Sequence, residues 1–168
     1  VEKVDGTPGN YDVTIKVAPR YVNENCTCCG DCAEASQTEI DSEFDFGMKK
    51  VKGAYLPFEM AFPARFVISP EIIGSDDARR CKDACKYDAV DLEMAAKTLN
   101  FNVGAIVWAT GWEPYDATKI DNLGFGQYPN IVTNRMMERL ASPNGPTKGK
   151  VGRRSDVKGP AWVGGVGG

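Results

Sequence analysis

The sequence predicts an α/β fold in which strands of one domain flank a small α+β insert, and three observations predict it. Tyr11–Val17 alternates aromatic or β-branched residues with polar ones, the pattern of a half-buried strand. Lys97–Val103 alternates likewise and runs into the apolar stretch Ala105–Gly111. All six cysteines lie between these two segments.

The first strand leaves a Pro8-Gly9-Asn10 turn. With 168 residues, the chain holds one ordinary domain or a small domain inserted into part of another. Its 42% hydrophobic and 26% charged residues are a soluble, globular balance. No apolar run reaches bilayer length, and the acidic start Val1-Glu2-Lys3-Val4-Asp5 is no signal peptide, so no direct membrane anchor is expected. A net charge of −3 argues against a nucleic-acid partner. Histidine is absent, which removes Ser-His-Asp and Cys-His catalysis, His-ligated zinc and Rieske-type centres.

The insert carries the chemistry. Cys26-Thr27-Cys28-Cys29-Gly30-Asp31-Cys32 contains the C-x2-C-x2-C run that wraps three thiolates around one iron–sulfur cluster. Adjacent cysteines bridge poorly, so a reduced thiolate metal site is favoured over disulfides, and with it a reducing, cytoplasmic compartment. In bacterial ferredoxins the cysteine four residues beyond such a run, followed by proline, serves the other cluster. Here Ser36 and Gln37 occupy those places. Cys81-Lys82-Asp83-Ala84-Cys85 is the C-x3-C tail of a second run without its first two cysteines, and Tyr87–Leu92 resembles the short strand that follows one. The swap rule therefore assigns Cys26, Cys29, Cys32 and Cys85 to a single [4Fe-4S] cluster and leaves a second cluster unbuilt. Cys28 and Cys81 stay open as alternative ligands. A four-cysteine zinc site, or thiols without metal in a docking module, remain the competing readings.

Between the cysteine groups, residues 41–75 carry Phe44, Phe46, Tyr55, Phe58, Phe62 and Phe66, an aromatic stretch expected to pack. Ala109-Thr110-Gly111, after an apolar run and before Trp112-Glu113-Pro114, resembles the ATG-x-x-P element of two-dinucleotide-binding flavoproteins, whose small residues let backbone approach FAD. No G-x-G-x-x-G opens a βα unit, so a pyrophosphate-binding half is not recognisable and the FAD site is incomplete in this chain. Asn134–Leu140 predicts a short helix, and the glycine-rich end reads as a flexible tail.

Taken together, these pieces resemble the heterodisulfide reductase A-subunit family, and among its relatives the A subunit of the quinone-interacting membrane-bound oxidoreductase of sulfate-reducing bacteria. The matching residues are Gly9-Asn10-Tyr11, Arg20-Tyr21-Val22, Cys29-Gly30-Asp31-Cys32-Ala33-Glu34, Lys52–Phe58, Cys81–Asp91 and Ala109–Tyr115. The resemblance implies an internal piece of a longer protein: an α/β flavoprotein-domain fragment, its β-meander strands interrupted by a ferredoxin-like α+β iron–sulfur unit. Its expected divisions are 1–21 and 96–145 for the FAD-type domain, 22–95 for the insert and 146–168 for the tail. The implied function is electron transfer between FAD and clusters, with other redox subunits and electron donor or acceptor proteins as partners and any membrane association made through those partners.

Overall fold

The computed structural model describes residues 1–153 and 155. They fall into two compact units, Val1–Glu39 with Lys52–Gly111, and Ile40–Val51 with residues from Trp112 onward. The glycine-rich end, residues 164–168, and most of the expected tail lie outside the described residues.

In the first unit, β1 (Lys3–Thr7) and β2 (Asn10–Val17) form a hairpin around Pro8-Gly9, and β7 (Lys97–Val103) pairs antiparallel with β2. The β2–β7 register runs from Tyr11↔Val103 to Val17↔Lys97. Strand side chains alternate between faces, so this register gathers Val4, Tyr11, Val13, Ile15, Leu99 and Phe101 on one side. The other side is polar, laced by Thr14 donating to Asn100 Oδ1 (2.9 Å) and by Asn102 donating to Asn10 and Asp12 (2.9 Å each). This pairing brings the two ends of the cysteine-bearing segment together.

That segment builds a small core. It contains α1 (Asp31–Ala35), β5 (Ala54–Tyr55) paired with β6 (Val67–Ile68), and α2 (Asp76–Asp83). Val22 and Val90 form an antiparallel bridge, flanked by Asn23 N–H to Ala89 O (2.8 Å) and Asp91 N–H to Tyr21 O (3.0 Å). The short strand expected at Tyr87–Leu92 is thus a single bridge. Val22, Cys32, Ala54, Ile68, Ile72, Ala78, Cys81, Ala89 and Val90 are the buried residues of this core.

The apolar run Ala105–Gly111, expected as a buried strand, carries no regular structure. Val107 is 89% exposed and Trp108 64%. An apolar central strand needs hydrogen-bonded neighbours on both edges, and among the described residues no strand pairs with this run.

The second unit contains α3 (Asn134–Ala141), N-capped by Thr133 accepting from Met136 N–H (3.3 Å), and buries Met136 and Leu140. Phe44, Asp45 and Phe46 meet the same helix from the turn of a hairpin whose legs are β3 (Glu39–Asp41) and β4 (Lys50–Lys52). Arg139 Nε donates to Asp45 Oδ1 (2.8 Å) while its guanidinium lies 4.5 Å from the Phe44 ring, and Arg135 stands 5.1 Å from Phe46. The aromatic stretch is therefore divided in use: these rings hold α3, Phe66 packs on the cysteine core, and Phe62 is 97% exposed.

Candidate metal centre

The cysteine loop is shaped by short-range polar chemistry. Asn25 N–H binds Asn23 Oδ1 (2.9 Å), an Asx turn, and Asn23 Nδ2 reaches Asp88 O (3.1 Å), pinning the start of the loop to the segment after Cys85. Cys28 and Gly30 then take positive φ (60° and 94°), a reversal that wraps the chain before α1 begins at Asp31. On the other side, Ser75 caps α2 by accepting from Ala78 N–H (3.4 Å), and acidic Asp76 and Asp77 open the helix. Cys85 follows its last turn, with Cys85 N–H bound to Lys82 O (3.0 Å).

These two segments place Cys26, Cys29, Cys32 and Cys85 around one cleft. Val22, Phe66, Ala89 and Val90 supply its apolar walls. Cys29 is exposed, Cys26 and Cys85 are half-buried and Cys32 is buried. Neither Cys28 nor Cys81 lines the cleft. Ala89 N–H donates to Cys85 Sγ at 3.3 Å, the kind of bond that stabilises a thiolate. The Cys32 thiol is pushed up to about 12, by burial first and then by Cys81, Cys26 and Cys29 nearby. Ligation to a cation reverses that logic, because a coordinated thiol is deprotonated outright. Among the described residues no three His, Cys, Asp or Glu side chains converge on a point that a single metal ion would occupy. The donor set, sulfur only, is one that iron–sulfur clusters and structural zinc share.

Cys81 lies elsewhere in the core. It is fully buried, and its thiol is raised by burial and then by the Asp77 charge. Beside it is a polar knot that sequence reasoning missed. Ser36 Oγ donates to Asp77 Oδ2 (2.8 Å) and accepts from Gly53 N–H (3.0 Å). Gln37 N–H and Thr38 N–H donate to the same carboxylate at 2.9 and 3.0 Å, and Arg80 Nη2 stands 2.8 Å away. Burial opposes the charge on Asp77, but these hydrogen bonds outweigh it and hold the carboxyl well below the usual range. In sequence Asp77 is one of two acids opening a helix, and nothing in that pattern signals a buried carboxylate.

No protein-family model matches the chain. It is 42% identical over 161 residues to the CoB–CoM heterodisulfide reductase iron-sulfur A subunit 1 of Methanopyrus kandleri, covering 95% of this chain and 24% of that protein. The A subunit of the H2/formate:CoB-CoM heterodisulfide,ferredoxin reductase of Methanococcus maripaludis is 41% identical over 164 residues, again 95% and 24%. The A subunit of the ferredoxin:CoB-CoM heterodisulfide reductase of Methanosarcina acetivorans is 35% identical over 159 residues, 93% of this chain and 20% of the relative.

This stretch belongs to the heterodisulfide reductase A-subunit family.

The chain spans about a quarter of the length of the curated relatives it matches. Within this A-subunit stretch, Ala109, Thr110 and Gly111 lie in exposed, irregular backbone, with Gly111 at φ 70°. They offer a short backbone edge and, with no phosphate cradle beside them in the sequence, too little to hold a dinucleotide alone. An apolar hollow of about 300 Å³ in the second unit, walled by Trp112, Tyr115, Leu123, Phe125 and Ile131, adds no chemistry-bearing constellation. Among the described residues no helix is long and apolar enough to cross a membrane.

Proposed function

We propose that this chain relays single electrons through one [4Fe-4S] cluster held by Cys26, Cys29, Cys32 and Cys85. The observation that carries the reading is the meeting of these four thiols, from two distant segments, around one apolar cleft that Cys28 and Cys81 do not line. When bound, such a cluster supplies reversible one-electron chemistry at a potential set by its charge, its hydrogen bonds and its exposure. The residues around it have separable tasks. Val22, Phe66 and Val90 exclude water, the Ala89 amide donates to Cys85, and exposed Cys29 offers the shortest way in or out for an electron.

Cys81 and Ser36 stand where a second ferredoxin cluster takes its ligands, and two further ligand positions carry no cysteine, so the relay has one station. We further propose that residues 22–95 are a ferredoxin-like insert between FAD-domain strands (1–21 and 96–145), for which the β2–β7 pairing is the support. On this reading the longer protein is a flavin and iron–sulfur component of a heterodisulfide-reductase-like or quinone-linked complex. FAD handles electron pairs there, and other redox subunits serve as donor and acceptor. The residues Ala109–Gly111 are too small a part of a flavin site to carry a step.

The test is metal analysis and EPR of anaerobically prepared protein after dithionite reduction. About four irons per chain with a reduced-cluster signal is the expected result; zinc, or no metal, overturns it in favour of a docking module. Cys85→Ser is expected to lose the iron. Cys81→Ser is expected to keep it, since a serine there retains Ser36 as a partner. The reverse pattern would move the fourth ligand to Cys81.

A further inference from the structure

Counting back from Cys81 at the C-x2-C-x2-C spacing falls on Ala78 and Ser75, and the fourth ligand of that second site falls on Ser36. Three of four thiol positions thus hold side chains that do not ligate a cluster in this way. The ground between them is filled. Ala78 and Cys81 are fully buried, Ser36 is 2% exposed and Asp77 4%. Ser36 Oγ bonds Asp77, and a Cβ at Gly53 would come within 2.7 Å of Ile72 Cδ1 and 3.0 Å of Ser36 Oγ, so the space is closed.

Asp77 is the unusual part of this filling. Serine and isoleucine would plug the space without cost, whereas burying a carboxylate is expensive unless it is hydrogen-bonded or paired. Its partners are three neutral donors at 2.8–3.0 Å and one arginine. The neutral donors stabilise the charge without cancelling it. Arg80 offsets part of it at a distance, its side chain being 43% exposed and so more screened by water than that of Asp77 at 4%. The part left uncancelled is felt most on the buried side. Cys81 is one helical turn from Asp77 and shares the core with Cys32, a residue of the proposed cluster site.

We propose that Asp77, standing with Ser36 in the place of the missing cluster, is a fixed negative charge that holds down the reduction potential of the cluster at Cys26, Cys29, Cys32 and Cys85. Reduction adds one electron, and so one negative charge, to that cluster; a buried carboxylate in the same core disfavours it, and Arg80 offsets part of this, so that losing Arg80 lowers the potential further. The inference rests on the cluster reading above.

The test is an EPR-monitored redox titration of the iron-loaded full chain, with iron counted in every sample. Asp77→Asn is expected to raise the midpoint potential and Arg80→Gln to lower it, each with the iron content of the parent protein. Opposite shifts mark an electrostatic role, because damage to packing has no reason to change sign with the charge removed. Iron present with both potentials unmoved, or both moved the same way, overturns the proposal and leaves the cluster intact as a reading. Absence of iron from the parent protein overturns both. If Asp77→Asn does not fold, the half-exposed Arg80→Gln decides alone: a lowered potential supports the role of the charge pair, and an unchanged one overturns it.

Discussion

Cys28 is held at φ 60°, in the left-handed region where an L side chain meets its own backbone. It is half-buried, does not line the cysteine cleft, and its thiol is raised by burial first and by Cys26 and Cys29 after that. Its backbone conformation is one glycine adopts freely, and the strain of a side chain there is about 1 kcal/mol. Cys28→Gly is therefore expected to raise the urea midpoint by an amount worth up to about 1 kcal/mol, part of the gain being returned as glycine's unfolded-state entropy. Its iron content should equal the parent's. Loss of iron would show that Cys28 is a ligand after all. At this scale the cysteine spacing was legible, because ligand runs are local in sequence. The strain at Cys28 was not legible, because its φ of 60° is set by how the loop wraps. Asp77 was not, because its partners at 36, 37 and 38 come from a different segment.

At the scale of elements, the end of α1, the β4–β5 turn and the start of α2 are tied through one point. Gly53 N–H faces Thr38 O (2.9 Å) and Ser36 Oγ (3.0 Å), and Ser69 N–H returns to Gly53 O (2.8 Å). The backbone comes this close only because position 53 lacks a Cβ; one added there would sit 2.7 Å from Ile72 Cδ1 and 3.1 Å from its Cγ2. Ile72 is 2% exposed and Ser36 equally so, and neither has open space to move into. Gly53→Ala is expected to destabilise by about 1–3 kcal/mol, the range for overpacking a closed core, read as a lower urea midpoint at unchanged slope. An unchanged midpoint would mean that the Ile72 side chain yields freely. The strands around this core illustrate what alternation can and cannot give. Tyr11–Val17 and Lys97–Val103 pair because each has a period-2 face. Ala105–Gly111 has only hydrophobicity, which says that a segment seeks cover without saying what covers it.

For the molecule as a whole, the unit that holds the cysteines has a thin core. Of the nine buried hydrophobic residues clustered around the cysteines, three are alanines and two are cysteines, so little apolar area closes over the cleft. With a cluster bound as proposed, such a core would gain much of its order from its thiolates, since metal-binding free energy at a site not preformed in the unfolded chain is folding free energy. The second unit draws on other sources, the Thr133 cap, buried Met136 and Leu140, and the Arg139–Asp45 pair beneath Phe44. Stripping the iron by oxidation and chelation is accordingly expected to act on one unit and spare the other. In hydrogen exchange, the amides of Asn23 and Asp91, which hold the Val22–Val90 bridge, should lose protection by at least tenfold, the equivalent of about 1.4 kcal/mol. Those of Met137 and Ser142, bonded within and at the end of α3, should exchange as before. Equal loss in both would show that the units fold as one and that the metal holds the whole chain. No loss in either would show that the apolar core suffices, and would leave the four thiols a role in electron transfer alone.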